Sequence, residues 1–87
     1  MLKNLVFMGT PAFAVPSLET LKNSNFKISA VYSQPANKAN RGQKIVKSEI
    51  EITAKKLLLN VRTPDSLNSE DEYNFFKSIK PDIVVVV

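Results

Sequence analysis

Apolar residues in this chain come in short runs, and the spacing within each run changes along the sequence. Leu2, Leu5, Val6, Phe7 and Met8 form a cluster that stops at Gly9. A short run closed by a turn signal suits a strand buried on both faces. After the turn Gly9-Thr10-Pro11 the spacing becomes helical, with Ala14, Leu18 and Leu21 at i, i+4 and i+7. Pro16 falls in the first turn of that helix, where its missing N–H is no loss, and Asn23-Ser24-Asn25 closes it. Phe26 to Tyr32 alternates well enough for a second strand. Further on, Ser48 with Glu51 three residues later forms a capping box. It opens a second helix whose apolar stripe is Ile50, Ala54, Leu57 and Leu58. Leu59 and Val61 make a brief third strand, broken by Thr63-Pro64-Asp65. Ser69 and Glu72 repeat the capping box, and Asp71 adds negative charge to the same first turn. Tyr73, Phe76 and Ile79 line one face of the third helix, Pro81 stops it, and Ile83 to Val87 reads as a fourth strand.

Strands thus alternate with helices, which implies an α/β fold with a parallel sheet and helices on its faces. Right-handed crossovers leave few topologies. The expected one is a doubly wound parallel sheet of strand order 3-2-1-4. That order puts strand 1 beside strand 4, and ligands of such sheets sit beyond the carboxyl ends of the strands at that switch point. Strand 1 ends at Gly9 and strand 4 at Val87. The fourth strand would be an uncharged, β-branched open edge, which invites association. The expectation is that residues 1–87 are the incomplete N-terminal part of a longer catalytic domain.

Composition narrows the chemistry. There is no histidine and no cysteine, so the commonest neutral-pH proton carrier and metal ligand is missing and no thiolate is available. No metal site and no catalytic residue is assigned. The apolar run Leu5–Met8 is too short for a secretory signal, and no run approaches a membrane span. The chain reads as cytoplasmic. Its net charge of +4 is uneven, with no acid between Glu19 and Glu49 but Lys22, Lys27, Lys38, Arg41, Lys44 and Lys47 in that window. Such bias points to an anionic partner on one side of the fold.

Most of those cations lie in or beside QPANKANRGQK, residues 34–44, a polar stretch much longer than an ordinary strand-to-helix connection. Arg41 supplies a planar fork for a phosphate, while Lys38, Lys44 and Lys47 add point charges. Without an aromatic residue the stretch is not built for base stacking. It reads as a mobile loop for a polyanion backbone; a solvated linker is the plain alternative. Gly9-Thr10-Pro11-Ala12-Phe13 lacks the three glycines of a dinucleotide fingerprint. In it Gly9 makes the tight turn and Phe13 packs inward, although the helix behind offers free N–H groups to a substrate. Glu70, Asp71 and Glu72, like Glu49 and Glu51, are read as helix-terminal charges and not as a metal cluster.

Three segments in this order, FMGTPAFAVPSLETL, SQPANKANRGQK and KPDIVVVV, resemble the N-terminal part of the methionyl-tRNA formyltransferases. The resemblance spans all 87 residues but only the first quarter to third of such a protein. It implies a Rossmann-like domain that transfers a formyl group from 10-formyltetrahydrofolate to the α-amino group of methionyl initiator tRNA in translation initiation, in a protein monomeric at full length. It matches Arg41 and Lys44, with Gly42 between them, to the family's tRNA-contacting loop, with Lys38 and Lys47 beside them. It puts Gly9, Thr10, Pro11 and Phe13 near the substrate. The family's catalytic asparagine, histidine and aspartate lie past the fourth strand, so these 87 residues are expected to be inactive alone. The sequence departs from the family after the loop, reading Lys47-Ser48-Glu49-Ile50-Glu51 where a proline-rich stretch is usual. Two other readings stay open: a non-catalytic α/β module for RNA or nucleotide, and a formyltransferase for an amino sugar or purine precursor.

Overall fold

In the computed structural model, residues 3–10, 12–35, 37–39, 44–66 and 68–87 are described, with the backbone alone for 37–39 and 44–46. Four parallel strands form the main sheet: β1 (Lys3–Met8), β2 (Phe26–Tyr32), β5 (Val61–Arg62) and β6 (Ile83–Val86). Their spatial order is β5-β2-β1-β6, the 3-2-1-4 arrangement of a doubly wound, Rossmann-like sheet. The helices are α1 (Val15–Lys22), preceded by a single 3₁₀ turn at Ala12–Ala14, α2 (Glu49–Lys56) and α3 (Glu70–Ile79). A pair of three-residue strands, β3 (Asn37–Ala39) and β4 (Lys44–Val46), forms a separate antiparallel hairpin. The long polar stretch is therefore not a plain loop. Its two limbs pair Asn37 with Val46 and Ala39 with Lys44, which satisfies backbone groups that a loop would leave to water.

The core divides by strand periodicity. Leu5 and Phe7 of β1 face Ala14, Leu18, Ile50 and Ala54, so α1 and α2 cover one face. Val6 faces the other way, into a smaller cluster with Ala30 and Tyr32, closed by Phe75, Phe76 and Ile79 of α3. Strand β2 does not alternate straight through. Its register against β1 jumps from Leu5↔Ile28 to Val6↔Ala30, leaving Ser29 as an extra residue. A bulge moves every later side chain to the opposite face. Phe26 and Ile28 accordingly pack with the α1/α2 cluster, whereas Ala30 and Tyr32 pack with α3. Ser29 Oγ donates to Asn4 Oδ1 at 3.3 Å, and Asn4 joins Asp82 and Ile79 by three further hydrogen bonds. The amino ends of β1 and β6 are thus tied together at the bulge.

The caps are half of what the sequence predicts. Ser48 Oγ and Ser69 Oγ accept from the amides of Glu51 and Glu72. The glutamates do not reach back. Glu51 turns to Lys55 at 2.9 Å and Glu72 to Arg62. Three apolar assignments are corrected. Leu58 lies outside α2 in the left-handed region (φ 60°) and is 92% exposed. There Leu59 N–H donates to Ala54 C=O in a Schellman-type ending. Tyr73 is largely exposed, and Phe75 takes the inward place beside Phe76 and Ile79. Phe13 is 73% exposed, because only Ala14 of the 3₁₀ turn points into the core.

Candidate nucleic-acid interface and the adjoining cleft

The carboxyl ends of β1, β2 and β5 carry the residues of interest, and each turn there is fastened to its neighbour. Gly9 N–H donates to Tyr32 C=O at 3.0 Å, and Ser33 N–H to Arg62 C=O at 3.1 Å. Gln34 N–H donates to Thr10 Oγ1 at 3.1 Å. That bond joins two motifs that lie far apart in sequence: the turn after β1 holds the first residue of the basic excursion. The other root is fixed by a hydroxyl–hydroxyl bond between Ser33 and Ser48. Ser48 therefore serves twice, capping α2 and closing the base of residues 34–47. The excursion leaves the sheet from a clamped base.

Charge follows from that construction. Lys38, Arg41, Lys44 and Lys47 fall within residues 34–47, which contain no acid. Lys38 and Lys44 belong to the facing strands β3 and β4, and Lys47 is exposed just before α2. Arg41 and Gly42 lie outside the described residues, as does Pro11 of the substrate turn. Gly9 is buried with no left-handed backbone. Its need for a bare Cα is steric, since a Cβ there would sit 3.1 Å from Phe7 Cε1 and 3.4 Å from Ala14 Cβ. Thr10 spends its hydroxyl on Gln34. Phe13 is exposed in the 3₁₀ turn that follows β1 in the chain.

Beside the excursion root lies a cleft of about 260 Å³ lined by Met8, Tyr32, Ser33, Gln34, Pro35, Pro64 and Asp65. A smaller apolar recess behind it shares Met8 and Tyr32 and reaches Glu72, Tyr73 and Phe76. One polar network stiffens this wall, and the sequence did not signal it. Arg62 makes a forked contact with Glu72, Nη2 at 2.7 Å and Nε at 2.9 Å, while its guanidinium lies 3.7 Å over the Phe75 ring. This holds the carboxyl end of β5 against α3. The forked hydrogen bonds from Arg62 hold the Glu72 carboxyl below its usual value and raise Arg62 further. Tyr32 is buried with its hydroxyl unpaired; burial first, and the Glu72 charge second, push its pKa up. It is a neutral phenol at pH 7. Spacing alone could not have paired Arg62 with Glu72, since the two lie on different elements.

Among the described residues no group of three His, Cys, Asp or Glu side chains could hold a metal ion. Among them, too, no helix is long and apolar enough to cross a membrane.

No protein-family model matches the chain. Whole-chain similarity to curated proteins is nevertheless high. The methionyl-tRNA formyltransferase of Pelagibacter ubique is 50% identical over 88 aligned residues, all of this chain. That of Chelativorans sp. is 45% identical and that of Rickettsia bellii 42% identical, each over 95% of the chain. The chain spans only 27–28% of the length of these relatives. With that similarity running from end to end of its own sequence, and the expected sheet order in place, the chain belongs to the methionyl-tRNA formyltransferase family.

Proposed function

We propose that this chain is the segment of a methionyl-tRNA formyltransferase that grips the acceptor tRNA and forms one wall of the formyl-transfer site. The observation that carries the reading is the basic excursion, rooted by Thr10–Gln34 and Ser33–Ser48 at the carboxyl edge of the sheet, in a chain 50% identical to a methionyl-tRNA formyltransferase. Binding to RNA phosphates costs the protein the ordering of long cationic side chains. A clamped hairpin lowers that cost by fixing where the cations leave the fold. Arg41 and Lys44, with Gly42 between them in the sequence, contact the RNA phosphates, and Lys38 and Lys47 add positive charge.

The reaction is acyl transfer in the cytoplasm. The α-amine of methionyl-tRNA attacks the formyl carbon of 10-formyltetrahydrofolate. A tetrahedral oxyanion forms, a proton leaves the nitrogen, and tetrahydrofolate departs as the protonated amine. That sequence needs an oxyanion donor and a proton carrier. With no histidine in these 87 residues, we assign both roles to parts of the family outside the segment this chain spans. Gly9, Thr10, Pro11 and Phe13 position the substrate, and they move no proton.

The test is a chimaera in which this segment replaces its counterpart in the Pelagibacter ubique relative. The chimaera should formylate methionyl-tRNA, and the 87-residue chain alone should not. Arg41→Ala with Lys44→Ala should lower kcat/KM mainly through KM for tRNA. Turnover by the isolated chain, or a double variant with unchanged tRNA dependence, would refute the assignment.

A further inference from the structure

The amino ends of the strands, opposite the edge that carries the basic excursion, hold a groove of about 490 Å³. That volume is within the range of ligand pockets, roughly 300–1,000 Å³. Its walls come from the start of β1, the bulge in β2, the turn between α2 and β5, and the last turn of α3. We propose that this groove docks an extended segment of a partner protein in which a leucine-sized apolar residue stands near a carboxylate. The groove lies outside the residues assigned to RNA contact and formyl transfer.

Leu58 carries the apolar half. Its backbone lies in the left-handed region, at a helix end where glycine is the usual residue, and its side chain is almost wholly exposed on the rim of the groove. One exposed leucine is ordinary. A leucine that is exposed and also held in a strained backbone points to a use for that side chain. The chain on either side keeps it there. Leu58 N–H donates to Lys55 C=O, Leu59 N–H to Ala54 C=O, and Asn60 C=O accepts from Val31 N–H. Ile28, Leu59 and Ile79 are half-buried in the same groove. An apolar residue laid between them and Leu58 covers the leucine without any new ordering of the backbone.

The polar groups set the sign of the charge. Ser29 Oγ donates to Asn4 Oδ1, Asn4 Nδ2 to Ile79 C=O, and Ser78 Oγ to Phe75 C=O. These groups are committed within the fold, as is Asp82, which accepts from the Asn4 amide at 2.8 Å. Among the described residues, Lys27 and Asn60 are the polar side chains of the lining that have no protein partner; both are exposed, and no lining residue is acidic. An ammonium and a side-chain amide both donate, and a carboxylate accepts from both. The groove thus offers an apolar rim and a cationic donor pair to one short segment.

The experiment titrates the 15N-labelled chain with a peptide made of leucine-aspartate-glycine repeats. Two control peptides carry serine for leucine or lysine for aspartate. Acidic peptides also meet the basic excursion, so affinities are read from the amides of Leu58, Asn60 and Ser78 alone. The first peptide should shift those amides and bind there about tenfold more tightly than either control, the lower end of what burying one leucine side chain contributes. Lys27→Gln should weaken it about threefold, the effect of one exposed ion pair, with the thermal midpoint unchanged. Leu58→Gly should raise the thermal midpoint and weaken the first peptide about tenfold, as the loss of that leucine contact requires. A variant that is merely less well folded would not do both. Shifts confined to residues 34–47 would assign the peptide to the excursion and overturn the groove as a docking site. No shift with any peptide, equal binding at Leu58 and Asn60 by either control, or unchanged affinity in Leu58→Gly would overturn it too.

Discussion

Replacing Gly9 by alanine tests the packing that holds the site. The added Cβ would lie 3.1 Å from Cε1 and 3.6 Å from Cζ of Phe7, and 3.4 Å from the Ala14 Cβ. Phe7 must yield by a few tenths of an ångström. It has nowhere to go, because its ring is fully buried among Leu5, Leu18 and Val31. Overpacking of this kind costs about 1–3 kcal/mol. Against it stands a gain of about 0.4–1 kcal/mol from the lower entropy of the unfolded chain. No left-handed backbone has to be surrendered at Gly9, so the net loss should be about 1–2 kcal/mol. A domain of this size holds roughly 4–13 kcal/mol in total, so the change is easily measured. Urea titration should show a lower midpoint with an unchanged slope. The turn also orients Thr10, so the Gln34 amide should exchange faster with solvent in the variant. A midpoint equal to or above that of the parent would refute the claim that Gly9 is there for close approach.

Three further outcomes follow from named contacts. Glu72→Gln should cost about 1–2 kcal/mol, since it weakens a forked, charge-assisted contact with Arg62. Because the folded Glu72 carboxyl lies below its ordinary value near 4.5, its contribution is present above that value and is lost as pH falls through the folded value; urea midpoints from pH 7 to 3 should therefore fall less steeply in the variant. Thr10→Val keeps the shape but removes the acceptor for Gln34 N–H, so stability should drop by about 1 kcal/mol, with hydrogen exchange at Gln34 accelerated more than at core strand amides. Leu58→Gly should raise the thermal midpoint, since it relieves a left-handed backbone costing about 1–2 kcal/mol, offset by glycine's greater freedom in the unfolded chain, and loses no packing at a side chain 92% exposed.

How far the fold was legible can be traced residue by residue. Strand β2 was readable to its ends, and the order of the four sheet strands followed from alternation and handed crossovers. The bulge at Ser29 was not readable. FKISAVY places apolar residues at even and odd positions alike, and only the packed partners decide where parity flips. The stripe on α3 was misread by one position for a related reason. Tyr73 and Phe75 are both aromatic, and only the packed partners separate them: Phe75 joins Phe76 and Ile79 on the Val6 cluster and lies under the Arg62 guanidinium that Glu72 holds. Phe13 was assigned to the core from its hydrophobicity, but a single 3₁₀ turn buries one residue, and Ala14 is that residue. The basic segment was visible by length and charge, whereas its hairpin was not, because Asn37–Ala39 and Lys44–Val46 show no strand alternation strong enough to compete with their polarity. The clamps at its base depend on Thr10, Ser33 and Ser48, small polar residues whose partners are set by tertiary structure.

The central claim is that a hairpin clamped to the sheet edge binds RNA through its cations. The most direct measurement is the affinity of the chain for initiator methionyl-tRNA as a function of salt, for the parent and for Arg41→Ala. Log K should fall linearly with log salt, and the variant should bind more weakly with a slope shallower by about one phosphate contact. An unchanged affinity and slope in Arg41→Ala, or binding by the parent that is indifferent to salt, would contradict it.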